Sequence, residues 1–456
     1  MPISSFYGLQ TSLRGLLAQQ RALDTTGHNI SNASTAGYSR QEAVMAASAP
    51  LTIPAGGIQS GAGAHLGTGV EVEDYRRVRD QFLDLQFRSQ SMRLGYESTR
   101  TQQLERAELA LSEPSDNGIG QQLTDYWDAW SDFAKNPTDT AAREALIGQA
   151  RTLTDAFATV DAQFKLVSDQ ARAQYDAITG PGGEIAGIAN DIANLNTAIR
   201  GFVSSGESPN DLMDRRDELL DRLSQYGQVT TTEEGGAVTV RFGGAQAPLV
   251  DGSKANPTEA VAWPQADFTP GDGMLGALHG ISKPGGTIDT YRTELHRVAE
   301  QLASSVNGLH NGPGVVGGND FFTFEPNPND PDPRFSLLKV QATPASLLAS
   351  TDGTPGGTDL AIKIAALQGG AADTSYRGFV AKVGIDVREA RRMEANAEAL
   401  SNAVDDHRQS ISGVALDEEM TNLIRFQRSY QASSRAMSTM DEMLDVLINR
   451  TGRVGL

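Results

Sequence analysis

Apolar residues recur in alternating steps of three and four along much of this chain, the spacing that lines one face of a helix. The clearest run lies between Thr140 and Thr179, where Leu146, Ala150, Leu153, Phe157, Val160, Phe164, Val167, Ala171, Gln174 and Ile178 keep step. It predicts a helix about 60 Å long at about 1.5 Å per residue. Gly180-Pro181-Gly182-Gly183 breaks the run, and Ile185, Ile188, Ile192, Leu195, Ile199 and Phe202 then resume it. The two segments predict an antiparallel helical hairpin.

The same reading predicts helices from about Tyr75 to Leu111, around Trp127, Trp130 and Phe133 until Asn136-Pro137, and over Asn210–Tyr226. Two more are predicted from Thr287 to Leu309 and, with breaks, from Ser375 to residue 412. Residues 41–74 lack helical period and read as extended, with short strands near Gly69–Val72. Residues 228–285 read as a small β-rich insertion, with strand-like Val229–Thr232 and Ala237–Phe242 around Glu234-Gly235-Gly236. Residues 311–372 are rich in Gly, Pro and Asp, with strands expected at Phe321–Phe324 and Ser336–Val340.

The two ends mirror each other. Phe6, Leu9, Leu13, Leu16, Gln20, Leu23, Gly27 and Ile30 form a narrow heptad seam, closed by turn chemistry at His28–Asn32 and Gly37. Leu416, Met420, Leu423, Gln427, Tyr430, Ser434 and Met437 form another, extended after a shift by Met440, Leu444 and Leu447. Such stripes are usually ordinary core. Their position at the extremes of the chain, their narrowness, and the polar Gln20 and Gln427 inside them point instead to helices that pair with each other and with neighbouring chains.

Charge sharpens this division. The chain of 456 residues has a formal charge of −19, yet residues 1–40 carry +2 and residues 415–456 carry −1. Nearly neutral ends flank an acidic body, as expected if the ends pack and the body faces water. That balance disfavours nucleic acid as a partner, and no apolar run reaches membrane-spanning length. With no cysteine there are no disulfides, thiolate metal sites or thiol catalysis. No basic residue precedes Arg14, so a cleavable signal peptide is not expected.

Catalytic chemistry is nearly invisible. The six histidines form no H-E-x-x-H motif or metal-ligand spacing, and Gly280-Ile281-Ser282-Lys283-Pro284 misses a nucleophile elbow by its last residue. Ser336-Leu337-Leu338-Lys339 and Ser115-Asp116-Asn117 spell two elements of a penicillin-recognising serine enzyme, but in reversed order and without K-T-G. Asp330-Pro331-Asp332 lacks calcium-loop spacing and reads as a solvated turn. The expectation is a non-enzyme with no cofactor and no metal.

Three longer motifs are specific. Ala22-Leu23-Asp24-Thr25-Thr26-Gly27-His28-Asn29-Ile30-Ser31-Asn32-Ala33, followed by Gly37-Tyr38-Ser39-Arg40-Gln41, resembles the N-terminal signature of the flagellar hook-associated protein 1 family. Ser412–Met420, continuing through Leu423-Ile424, Gln427 and Tyr430-Gln431-Ala432, resembles its terminal helix. Asn210-Asp211-Leu212-Met213-Asp214-Arg215-Arg216-Asp217-Glu218-Leu219-Leu220 is similar to its body motif. Asn29, Ile30, Ser31 and Asn32 belong to a pattern shared by rod and hook proteins, while Gly37, Tyr38, Ser39, Arg40 and the body motif favour this family. The family usually has Pro before that Gly; here Ala36 stands in its place.

The resemblance implies a mainly α, elongated structural protein with discontinuous domains. Residues 1–40 with 415–456 would form a terminal coiled-coil polymerisation domain, 41–227 with 286–414 a helical body, and 228–285 a reduced β-rich insertion. It further implies export unfolded and a place at the hook–filament junction after a transient cytoplasmic stage; the alternative is another component of the flagellar axis, such as hook protein or the second junction protein. The implied partners are hook protein, a second junction protein, further copies of the chain, and a cytoplasmic chaperone at the C-terminal region. The polymerisation interface would comprise Phe6, Leu9, Leu13, Leu16, Leu23 and Ile30 with Leu416, Met420, Leu423, Gln427, Tyr430, Met437 and Leu444.

Overall fold

A computed structural model of the chain describes residues 6–53, 64–243, 247–256, 272–446 and 448. The fold is mainly α. Its first half contains α1 (Tyr7–Ser31), strands β1 (Gln41–Ala47), β2 (Leu51–Ile53), β3 (Ala64–Leu66) and β4 (Val70–Arg77), then α2 (Gln81–Leu111), α3 (Ile119–Lys135), α4 (Thr140–Thr179), α5 (Glu184–Ser204) and α6 (Asn210–Tyr226). Next come β5 (Val229–Glu234), β6 (Ala237–Phe242), β7 (Val250–Asp251) and β8 (Lys254–Ala255), α7 (Gly273–Ser282) and α8 (Thr287–His310). The chain finishes with β9 (Phe322–Glu325), β10 (Leu337–Val340), α9 (Asp359–Ala365), α10 (Ala371–Ser412) and α11 (Leu416–Asp445).

Local chemistry sets these boundaries. The Asp80 carboxylate accepts from the Phe82 and Leu83 amides and starts α2; Asp139 accepts from the Ala141 amide and starts α4. Such caps satisfy amides that the first turn leaves free. Gly95 lets the middle of α2 touch the end of α6, because a Cβ there would lie 2.3 Å from the Gln225 carbonyl oxygen.

The body has one continuous core. Leu146, Ala150, Leu153, Phe157, Val160, Phe164, Val167 and Ala171 all point into it from α4. Tyr126, Trp127, Trp130 and Phe133 of α3 meet Phe321 and Phe322, with neighbouring ring centroids 4.7–6.5 Å apart. Phe164, Tyr291 and Phe379 join α4, α8 and α10 in a second aromatic cluster. Strands β5 to β8 form an antiparallel four-stranded meander against α5.

Several elements differ from the sequence reading. Val70–Arg77 is a strand, not the start of a helix; it pairs antiparallel with β1, register Gln41 to Arg77, through an irregularity at Val44/Met45. The last ten residues before Lys283 form helix α7, whose apolar sequence packs on α2 and α4. α10 is unbroken over 42 residues and begins at Ala371. The Asp330 turn is not solvated: Asp330 is buried and accepts a 2.7 Å bond from Arg292. A lone carboxylate cannot leave water cheaply, and the guanidinium is its compensation.

Candidate functional site

The terminal helices lie outside the body core. α1 and α11 run antiparallel, so that Gly8 meets Met440, Gly15 meets Ser433 and Asn29 meets Glu419. The residues α1 buries are small or polar, namely Ala18, Ala22, Thr25, Thr26 and Asn29. Little hydrophobic area is removed from water here, so polar contacts must hold the base together.

Those contacts begin at Asn29. Its Nδ2 donates to the Gln41 carbonyl (2.9 Å) and to Glu419 Oε2 (3.1 Å), while its Oδ1 accepts from the Gln41 amide (3.0 Å) and the Tyr38 hydroxyl (2.7 Å). Four contacts of the right polarity fix the amide in one orientation. Glu419, 2% exposed, also accepts from Arg40 Nε at 2.8 Å. The Arg40 amide donates to the Ser412 carbonyl and the Arg40 carbonyl accepts from Val78, so one residue touches α10, α11 and the end of β4.

A second tier joins this clasp to the body. The Ser39 amide donates to Asp214 Oδ2 (2.9 Å), and Arg77 donates to Asp214 (2.9 Å) and Asp217 (2.8 Å). Arg79 grips Asp84 with two bonds and reaches Asp217 at 2.9 Å. Arg88 donates to Asp221 at 2.7 Å, and Arg408, stacked 3.8 Å from the centre of the Phe87 ring, reaches the same carboxylate. Asp214, Asp217 and Asp221 are spaced by three and four along α6 and therefore project from one face. A polar cleft of about 540 Å³ lies beside this tier, lined in part by Arg77, Arg79, Arg88 and Asp217.

The field within the network is uneven. Burial works against the charge on Asp217, but Arg79 and Arg77 outweigh it and hold the carboxyl below the usual range. Burial pushes the Asp214 carboxyl up, against the pull of the Ser39 amide and Arg77. Burial also raises Tyr38, with help from Asp211, Asp214 and Glu419, so its hydroxyl keeps its proton for Asn29.

The pairing of α1 with α11 leaves much of each apolar seam open. Phe6 and Leu13 (43%) are exposed, while Leu9, Leu16, Leu23 and Ile30 are half-buried. Leu416 (52%), Met420 (49%) and Gln427 are exposed, Leu423, Tyr430 and Met437 half-buried, and Leu444 buried. Leu447 lies outside the described residues. In the motif, Asn29, Tyr38, Ser39 and Arg40 make the clasp, whereas Ser31 and Asn32 donate to carbonyls of their own helix and Asn32 also accepts from the Thr35 hydroxyl.

Three family models match successive parts of the chain: Flagella basal body rod protein over residues 9–38, Flagellar hook-associated protein FlgK helical domain over 104–322, and Flagellar basal body rod FlgEFG protein C-terminal over 407–450. Flagellar hook-associated protein 1 of Bacillus subtilis is 28% identical, the alignment covering 98% of this chain and 99% of that protein. Its namesake from Escherichia coli is 26% identical over 97% and 99%. The chain belongs to the flagellar hook-associated protein 1 family. A solved structure, the flagellar hook junction protein FlgK from Burkholderia pseudomallei, overlaps 53% of this chain and 46% of that one at 23% identity and a TM-score of 0.45, too partial for comparing folds.

As a member of the hook-associated protein 1 family, the chain is a structural component of the flagellar axis. The two terminal matches contain part of the clasp, Asn29 and Tyr38 in the first and Arg408, Ser412 and Glu419 in the second, while Ser39, Arg40 and Gln41 lie just past the end of the first. The Ala36 departure is absorbed locally. Gly37 keeps a left-handed φ of +75°, where a Cβ would press to 3.1 Å from Glu218, and the Tyr38 amide closes the turn onto Thr35.

The serine-enzyme elements do not converge. Ser336 shares a cleft of only about 30 Å³ with His296 and Asp161, but Arg292 occupies both Asp161 oxygens at 2.7 and 2.8 Å. Ser115–Asn117 lies in the turn before α3, outside that cleft. Among the described residues no group of three or more His, Asp or Glu is placed to hold a metal, and no helix is long and apolar enough to cross a membrane.

Proposed function

We propose that this chain is a non-catalytic junction subunit that joins hook to filament and polymerises through α1 and α11. One observation carries the reading: α1 buries only small and polar residues against α11, whose Met440 packs on Gly8, and the pair leaves Leu13, Leu416, Met420 and Ile424 about half exposed. An isolated two-helix base with open apolar stripes gains stability when neighbouring subunits cover them. The occupants would be further copies of the chain, hook protein below and a second junction protein above. Before assembly the chain would cross the export channel unfolded, with a cytoplasmic chaperone on its C-terminal region. The absence of disulfides suits that passage. Residues 1–40 and 415–456 would act as the polymerisation domain, 41–227 with 286–414 as the body, and 228–285 as an insertion dispensable for attachment.

Deleting the gene tests this directly. The expected result is cells with hooks but no filaments and free flagellin in the medium, restored by the wild-type gene and by a Ser336→Ala copy. Filaments that persist, or loss of the hooks themselves, would place the chain elsewhere in the axis.

A further inference from the structure

Helix α11 holds four of the ten methionines of the chain, Met420, Met437, Met440 and Met443, within thirty residues. The chain has no cysteine, so no thiolate competes with them for an oxidant. Their surroundings differ sharply. Met420, beside Leu416 and Ile424 near the start of the helix, is 49% exposed, and Met443, beside Val446 near its end, is 54% exposed. Met440 is turned into α1 instead: a Cβ on Gly8 would come within 2.5 Å of its sulfur, and Ser12 Oγ is 3.9 Å away.

A thioether is apolar and flexible, and packs against neighbours of unequal shape. Its sulfoxide is polar and needs a hydrogen-bond donor. We propose that Met420 and Met443 are oxidation sites that control entry of the subunit into the axial structure. The oxidant is a hydroperoxide. The sulfur lone pair takes the terminal peroxide oxygen, the sulfur–oxygen bond forms as the O–O bond breaks, and the leaving oxygen picks up a proton and departs as water or alcohol. Sulfur loses two electrons and the peroxide gains them. The inference rests on the reading of α11 as an assembly surface. Under that reading the sulfurs are vulnerable only before incorporation, because the neighbour that covers the stripe also shields them.

The test has two arms. The purified full-length chain is treated with hydrogen peroxide and sulfoxides are mapped by peptide mass spectrometry; Met420 and Met443 should oxidise at least about fivefold faster than Met440. Equal rates would overturn the geometric basis. In the second arm, a deletion strain carrying wild type or M420L/M443L under an inducible promoter is depleted of the protein until filaments are lost. It is then induced in peroxide, so that each regrown filament requires a newly entering subunit, at a dose shown by mass spectrometry to oxidise both wild-type sites. Leucine keeps the volume and removes the sulfur. Wild type should regrow at least about threefold fewer filaments than the variant, with recovery once a thiol-dependent methionine sulfoxide reductase acts on the protein. Equal regrowth would sink the proposal while leaving the assembly reading intact. If a chain lacking residues 416–446 still attached filaments, the assembly reading itself would fail.

Discussion

The body and the base of this molecule are held together by opposite means. In the body, Trp127, Trp130, Phe133, Phe321 and Phe322 are almost wholly out of water and pack ring against ring. In the base, α1 buries two alanines, two threonines and an asparagine, and cohesion comes from Asn29, Arg40, Glu419 and the Asp214–Asp217–Asp221 face. Hydrophobic burial is nondirectional and tolerates small shifts. Charge-assisted bonds fix angle and register but lose much of their value when one partner goes. A structural subunit of the flagellar axis needs a body that stays folded and a base whose helices are held at a set angle, and the chain divides its chemistry accordingly.

The sharpest way to break this contrast is to attack each region separately. Trp130→Ala should cost about 3–5 kcal/mol through the cavity it leaves and lower the main melting transition markedly. Asp217→Ala removes one carboxylate from each of Arg77, Arg79 and Arg88, which keep Asp214, Asp84 and Asp221; it should loosen the base by about 1–3 kcal/mol. Hydrogen exchange should then rise along Val70–Arg77 and α6 while α4 stays protected. Equal loss of protection in α4 would show that base and body unfold as one unit.

Acid should separate the regions by pH. His310 is fully buried, one ring nitrogen on the Asn319 carbonyl and the other accepting from the Leu348 amide, and burial lowers its pKa. The unfolded chain therefore takes up a proton that the folded one resists. Body stability should fall below about pH 6.5, by up to roughly 1.4 kcal/mol per unit until the folded value is reached. His310→Gln should flatten that slope. Asp217 acts lower: with its folded pKa depressed, its contribution is complete above the ordinary carboxyl value and is lost as the pH drops through the folded one. Asp214, shifted upward, offsets part of this. Melting followed at α4 and at the two-stranded β1–β4 ribbon between pH 7 and 3 would show the order.

Two smaller effects refine the picture. Glu419→Gln keeps one acceptor oxygen but turns an NH2 group toward the donor of either Asn29 or Arg40; about 1–3 kcal/mol should be lost locally, and limited proteolysis should release α11 first. Leu423→Asp should move monomer melting by no more than about 0.5 kcal/mol, because Leu423 is only half-buried, yet filament attachment should fail. A large drop in melting would mean that Leu423 belongs to an ordinary core.

These regions also differ in how visible they are in the amino-acid sequence. Helices α4 and α6 begin and end where the apolar spacing and the Gly-Pro-Gly-Gly break predict, because the body core is periodic. α7 is hidden by its small size and glycines, and the ribbon by its irregular register and its alternation of Val70 and Val72 with Glu71 and Glu73. The clasp has no period. Asn29, Arg40, Asp214 and Glu419 are brought together only by the fold, and the motif containing Asn29 and Arg40 could be recognised without revealing what those side chains do. One signal was available: four carboxylates at 211, 214, 217 and 221 on one face of a predicted helix require cations opposite, and Arg77, Arg79 and Arg88 are the supply.

The Arg40–Glu419 bond spans 379 positions of the chain. A polypeptide that appears N-terminus first, from a ribosome or any narrow exit, completes its aromatic interior long before that bond can form. The base is thus the last part to close. A chain cut between Ser412 and Glu419 could still build a compact body, but Asn29 and Arg40 would be left without their carboxylate. The clasp is in effect a timing device, an ending written into the beginning, and only a molecule that has emerged as far as α11 can present its two terminal helices at the angle a neighbour would meet.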